Sequence, residues 1–220
     1  MSNERIVIWC GDAPNQKALA NKIAAQYDVA GIVVDRHKRS GKKRNWSKLP
    51  SAIWDRLRFK EIFDSWKNLM HYYETSFSQW PASVPVIEVD TINDSVTSEF
   101  TKDKNPTLII VSGTALVKEP LISIQASKGK INLHTGLSPY VKGGPNCTNW
   151  CIANNEFHLI GNTIMWLNAG IDSGNIITTE KIDIIDASTL TIAHQQVMDH
   201  AHNLYLRIKS TLSIDIAIIN

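Results

Sequence analysis

The chain has 220 residues, a net charge of +2, 43% hydrophobic residues, 20% charged and 8% aromatic. That composition is too apolar and too weakly charged for disorder, and the length is enough for one domain to bury a core. No uncharged apolar run reaches the about 18 residues a membrane span needs, and the apolar stretch after Arg5 is too short for a signal-peptide core, so a cytoplasmic protein with no membrane partner is expected.

Arg5 to Cys10 is a short apolar, β-branched run broken by Gly11, Asp12, Pro14 and Asn15, which reads as a strand and a turn. Gln16 to Tyr27 follows with Leu19 and Ile23 among alanines and reads as a helix. Val29 to Asp35 is a second apolar strand. Strand, helix, strand in succession make a βαβ unit and predict a parallel sheet. From Arg36 to Arg44 the chain is strongly basic, which suits a solvated loop or one facing an anion. No aromatic stacking pattern accompanies it, so nucleic acid is not expected as a partner.

Asp55 to Phe77 carries Phe59, Ile62, Phe63, Trp66, Leu69, Met70 and Tyr73 at steps of three and four. That is one apolar helical face, read as core. Val84 to Val89 predicts a short strand, Ile92 to Phe100 a short helix, and Thr107 to Val111 a buried strand. Leu116 to Ile124 predicts a helix with Pro120 in its first turn. Lys130 to His134 is a further strand, and the Gly- and Pro-containing stretch from Thr135 to Pro145 a loop. Cys147 to Asn154 is a helix candidate; Leu159 to Trp166 and Asn175 to Ile184 read as strands. Thr189 to Leu212 is a final amphipathic helix. The division expected is a main domain over 1–185 and a helical extension over 186–220 packed on it, with an apolar helix leaving room for a homodimer.

Three cysteines, Cys10, Cys147 and Cys151, are too few for a disulfide framework and read as buried thiols. His200 and His202 do not share a helix face with each other, so no metal site is expected. In an open α/β sheet ligands collect at the carboxyl ends of the strands, which directs attention to the residues after Cys10, Val111 and His134. Asn132 and His134, two apart at the end of a strand, point the same way. An amide can donate to a developing oxyanion, and an imidazole exchanges a proton near neutral pH. Asp172, in the turn Gly170-Ile171-Asp172-Ser173-Gly174, could orient that imidazole if the fold brings them together.

The stretch INLHTGLSPYVKGGPN, from Ile131 to Asn146, resembles the signature of folate-dependent formyltransferases: Asn-x-His, then Leu-Ser-Pro, an aromatic and Gly. AGIDSGNII, from Ala169 to Ile177, is similar to the second signature, and LIIVSGTALV, from Leu108 to Val117, to the segment that cradles a pterin ring. Order and spacing of all three agree. The resemblance implies a Rossmann-like core: an open, mostly parallel twisted sheet with helices on both faces and a short C-terminal extension. It implies 10-formyltetrahydrofolate as folate co-substrate and formyl donor, and an amine as acceptor. Asn132 would bond the formyl oxygen, His134 would stabilise the intermediate and move protons, and Asp172 would hold His134 and raise its basicity. Backbone groups around Ser112, Gly113, Thr114 and Leu116, and around Asn168 and Gly170, would hold the pterin.

Within that family the Gly136-Leu137-Ser138-Pro139-Tyr140 form, with Gly143-Gly144-Pro145-Asn146 and Trp150, resembles the branch that formylates amino sugars on nucleotide carriers. The implied acceptor is a nucleotide-linked 4-amino-4,6-dideoxy sugar (GDP or dTDP) destined for surface polysaccharide such as O-antigen. Tyr140, Lys142, Gly143 and Trp150 are the candidate acceptor contacts, although Val141-Lys142 replaces the usual aromatic and Arg, and Lys lacks Arg's planar fork. The extra C-terminal nucleic-acid-binding domain of methionyl-tRNA formyltransferases is expected to be absent. Alternatives are glycinamide ribonucleotide formylation, disfavoured by Asp12 in the loop after the first strand, and a non-catalytic nucleotide-binding protein.

Overall fold

The computed structural model describes residues 4–37, 54, 56–141 and 147–218, with side chains described as far as 208. Seven strands form one sheet: β1 (Ile6–Gly11), β2 (Val29–Asp35), β3 (Val86–Val89), β4 (Leu108–Ser112), β5 (Lys130–His134), β6 (Gly161–Trp166) and β7 (Ile176–Lys181). Their order across the sheet is β3-β2-β1-β4-β5-β6-β7. The first five run parallel, and β6 and β7 join antiparallel. The order reverses between β1 and β4, the kind of switch point at whose carboxyl edge α/β sheets open a crevice.

The strand period of two divides the core between the two faces. Ile6, Ile8 and Cys10 of β1 pack with Leu19 and Ile23 of α1 (Pro14–Ala24) and with Leu204, Tyr205 and Ile208 of the long C-terminal helix. Val7 and Trp9 point the other way, to Val89, Ile92, Val117 and Leu121. Trp9, fully buried, also donates through Nε1 to Thr101 at 3.0 Å. Each such fully buried side chain contributes about 1.5–3 kcal/mol, which is why a β1 apolar at every position is a central strand.

The helices follow their local chemistry. Pro14 opens α1 at the position where a missing N–H costs nothing. Asp94 caps α3 (Ser95–Lys104) by accepting from Val96 N at 3.0 Å, and Asn105 ends it in the left-handed region. α4 spans Cys147–Ala153 and α5 Leu190–Ile218. α5 packs along the sheet, tied to it by Tyr205 Oη donating to the Val111 carbonyl at 2.6 Å. No helix among the described residues is long and apolar enough to cross a membrane.

Two expectations need correction. The helix expected over Leu116 to Ile124 is a single 3-10 turn, Leu121–Ser123. Asn93 bonds the Leu116 carbonyl and the Lys118 amide from outside, so those groups are unavailable to a helix, and Pro120 lacks an N–H. The apolar stripe of α2 (Lys60–Ser76) is core only in its second half. Leu69 and Tyr73 are buried with Ala18, whereas Phe59, Ile62, Phe63 and Trp66 remain more than two-fifths exposed. Ala18 of α1 meets this helix at Leu69 and Tyr73, while Trp66 lies edge-on to the His194 ring of α5 at 6.5 Å between centroids. Of the basic run, only Arg36 and His37 fall among the described residues, and Arg36 pairs with Glu88 at 2.7 Å.

Candidate active site

β5 ends on Asn132, Leu133 and His134, and the turn between β6 and β7 brings Asp172 to them from forty residues away. That turn is pinned at both ends. Leu167 N donates to the Lys130 carbonyl at 2.8 Å, and Trp166 N to the Asn175 carbonyl at 2.9 Å. Inside it, Asn168 Oδ1 accepts from Gly170 N at 3.1 Å and from Ser173 Oγ at 2.8 Å. Gly174 passes so close to the strand that a Cβ there would collide with the Trp166 carbonyl. Asp172 itself sits at φ 44°, a left-handed conformation that Asp tolerates better than most residues.

The three side chains form one connected group. Asn132 Nδ2 donates to Asp172 Oδ1 at 3.2 Å, and His134 Nδ1 meets Asp172 Oδ2 at 3.1 Å. The other ring nitrogen, Nε2, lies 3.0 Å from the Val141 carbonyl, so an N–H is needed on both sides of the ring. The loop beneath is tight: a Cβ on Gly136 would collide with His134 Nε2 and stand 3.1 Å from Cys147 Sγ. Thr163, opposite His134 on β6, holds that loop, donating to the Gly136 carbonyl at 2.7 Å and accepting from Ser138 N at 2.9 Å.

Electrostatics favour a charged pair. Burial alone would push the His134 pKa down. Its hydrogen bonds to Asp172 and Cys147 and the charge of Asp172 outweigh this and raise it to about 10. Asp172 is held below its ordinary 3.8 by the bond to His134, with Asn132 contributing, although partial burial opposes them. At neutral pH the cleft therefore contains an imidazolium against a carboxylate.

The group opens on a cleft of about 370 Å³. One wall is the loop after β4, with Gly113, Thr114 and Leu116; another is the turn with Gly170 and Ile171. Apolar floor comes from Val111, Leu133 and Leu167. Ser112 and Asn168, also candidates for the pterin pocket, stand behind these walls: Ser112 is buried in β4, and Asn168 orders the turn. Tyr140 and Trp150 are exposed and do not line the cleft. Lys142 and Gly143 lie outside the described residues. The reading of residue types had no signal for the Val141 carbonyl, which meets His134, because any residue supplies that atom. Among the described residues no group of three His, Cys, Asp or Glu is placed to hold a metal ion.

The floor and walls suit a flat heteroaromatic ring: apolar side chains for its faces, backbone N–H and C=O of two loops for its edges. The methionyl-tRNA formyltransferase of Clostridium tetani is 30% identical over 115 residues, 52% of this chain and 36% of that protein. The chain thus spans a little over a third of the length of that curated relative. The solved phosphoribosylglycinamide formyltransferase of Streptococcus pneumoniae shares the fold at a TM-score of 0.61 and 14% identity, over 94% of this chain and 98% of that one. A sugar N-formyltransferase of Shewanella shares it at 0.55 and 16%, over 96% and 70%. The formyl transferase family model matches residues 74–208, which span β3 to α5 and include every member of the Asn132–His134–Asp172 group; the chain belongs to that family.

Proposed function

We propose that this chain is a folate-dependent N-formyltransferase whose acceptor is the amine of a nucleotide-linked 4-amino-4,6-dideoxy sugar. The observation that carries the reaction class is the convergence of Asn132, His134 and Asp172 on one cleft. 10-formyltetrahydrofolate supplies the formyl carbon, which bonds to the acceptor nitrogen as its bond to the folate nitrogen breaks. Asn132 gives one amide hydrogen to Asp172 and keeps the second for the oxyanion that develops on the formyl oxygen. The His134 imidazolium adds fixed positive charge at that edge. With both ring nitrogens engaged it serves here as a charge rather than as a travelling proton carrier. Asp172, the more accessible of the pair, takes the proton that the acceptor amine must lose once its nitrogen has bonded to the formyl carbon, and passes it to the departing nitrogen.

The acceptor assignment rests on the Gly136-Leu137-Ser138-Pro139-Tyr140 sequence and on Asp12 in the loop after β1, a carboxylate unsuited to a substrate phosphate. A second reading, methionyl-tRNA, is favoured by the curated relatives. The test supplies the purified chain and 10-formyltetrahydrofolate with four acceptors in parallel: the GDP- and dTDP-linked amino sugars, glycinamide ribonucleotide and methionyl-tRNA. Formylation of an amino sugar at the highest kcat/KM is expected. Preference for another acceptor refutes the sugar assignment, and transfer to none of them refutes the reaction.

A further inference from the structure

A buried carboxylate far from the reacting group controls one wall of the cleft. Asp35, the last residue of β2, is 3% exposed and uses both oxygens on backbone amides. Oδ1 accepts from His37 N and Ile92 N, each at 3.1 Å, and Oδ2 accepts from Ala115 N at 2.7 Å. Among the described residues no ammonium or guanidinium bonds it; its partners there are three separate stretches of main chain. Ala115 belongs to the loop after β4 that forms the cleft wall, between Thr114 and Leu116. Asn93, next to Ile92, grips the same loop one step further along. Its Nδ2 donates to the Leu116 carbonyl at 2.9 Å and its Oδ1 accepts from Lys118 N at 2.7 Å.

The wall therefore has little secondary structure of its own. Residues 113–120 contain neither helix nor strand, and side chains from two other segments fix their peptide groups. Each such bond narrows the set of conformations the loop can sample, so a clamped loop has less backbone entropy left to lose on binding. A carboxylate is the acceptor for the purpose: it has no hydrogens, so it can face three N–H groups at once, whereas an amide in its place would turn an NH2 toward at least one of them.

We propose that Asp35 and Asn93 are positioning residues that pre-order the loop 113–118 for the folate co-substrate, and so set its affinity. The inference deepens the function proposed above and rests on it. The reaction machinery at Asn132, His134 and Asp172 is bonded separately, within β5 and the 168–174 turn. Loss of the clamp should consequently raise the folate KM by a larger factor than it lowers kcat, with the acceptor KM following neither.

Three forms of the full chain decide it: wild type, Asp35→Asn and Asn93→Ala. Asn93 is only half-buried, so its variant retains the core whatever Asp35→Asn does to folding. Calorimetric titration with the unreactive 5-formyl isomer of tetrahydrofolate should show binding to wild type. Both variants should bind roughly tenfold more weakly, the worth of one charge-assisted hydrogen bond lost at Asp35 or of two neutral ones lost at Asn93. Amide hydrogen exchange without ligand should quicken at 114–118 and stay unchanged in β5. If wild type binds this folate and Asn93→Ala binds it equally, the positioning role is overturned while the reaction assignment stands. Unchanged exchange at 114–118 in the variants overturns it as well. If wild type binds no reduced folate, the proposed function fails and this role falls with it.

Discussion

Two buried histidines in this molecule meet opposite fates. His134 is 5% exposed and His202 1%, so burial disfavours the charged ring in both. The pKa of His134 is nevertheless raised to about 10, whereas that of His202 is lowered to about 3. Their neighbours make the difference. His134 Nδ1 faces the Asp172 carboxylate at 3.1 Å. His202 Nδ1 faces the Lys22 ammonium at 3.3 Å, and the nearby Asp199 is already occupied by Lys22 at 2.9 Å and by the Tyr73 hydroxyl at 2.9 Å. A charged ammonium can only donate, so His202 accepts and stays neutral. The first cluster sits on a cleft, where the proposed reaction would use its charge. The second lies under α1, α2 and α5 and serves only to join them.

That contrast can be broken most forcefully at the cleft. His134→Ala should lower formyl transfer by about 10²–10³-fold, the usual span for a group that stabilises charge developing in the transition state. Asn132→Ala should lower it by about 10²–10³-fold, the worth of one oxyanion donor. Both should show unshifted far-ultraviolet circular dichroism. Near-normal turnover of either variant removes that residue from the mechanism.

A comparable loss comes from exchanging the deciding neighbour, which is also the proposed proton acceptor. Asp172→Asn leaves His134 buried without a counter-charge, so its pKa should drop below the ordinary 6.5 and the transfer rate should fall with it. Lys22→Met should move His202 upward without changing transfer. The two histidines also shape stability against pH with opposite signs. A histidine raised from 6.5 to about 10 contributes stability fully below pH 6.5 and loses it as pH rises through 10. One lowered to about 3 contributes above pH 6.5 and loses it as pH falls toward 3. Asp172, held below 3.8, adds a further loss only at the acid end. The melting temperature should therefore peak near pH 6.5, and Asp172→Asn should flatten the alkaline arm, while on the acid arm it removes the Asp172 loss and adds one from a His134 that must now protonate against burial. A profile in which that variant leaves the alkaline arm unchanged contradicts the assignment.

The smallest change expected is at the structural cluster. Tyr73→Phe removes one bond to the charged Asp199, worth about 1.5–3 kcal/mol. At about 2–4 °C per kcal/mol for a chain of this size, the melt should drop by several degrees with transfer unaffected. A loss of transfer comparable with that of Asn132→Ala would mean the two regions are coupled.

What could be read from residues alone divides along the same physical line. β2 was legible to the residue because its apolar run is continuous and ends at Asp35, and β5 because Ile131 and Leu133 alternate with Lys130, Asn132 and His134. The pairing of Asn132 with His134 followed from the strand period. Neither the 113–120 loop nor the exposed half of α2 could be read, since both depend on what another segment does: Asn93 occupies the loop's peptides, and α1 stops short of Trp66. Asp35 carried no signal of its own, because a carboxylate at a strand end becomes a clamp only once Ile92 and Ala115 arrive from elsewhere. The opposite pKa shifts of His134 and His202 were hidden for the same reason, being set by Asp172 and Lys22, 38 and 180 residues away in the sequence.

The charge of His134 is the point on which the reaction depends, and nitrogen-15 NMR of the histidine rings measures it directly. In the native chain one ring, assigned by its loss in His134→Ala, should hold both protons through neutral pH and release one near 10. A ring that titrates near 6.5, unchanged by Asp172→Asn, would contradict the account.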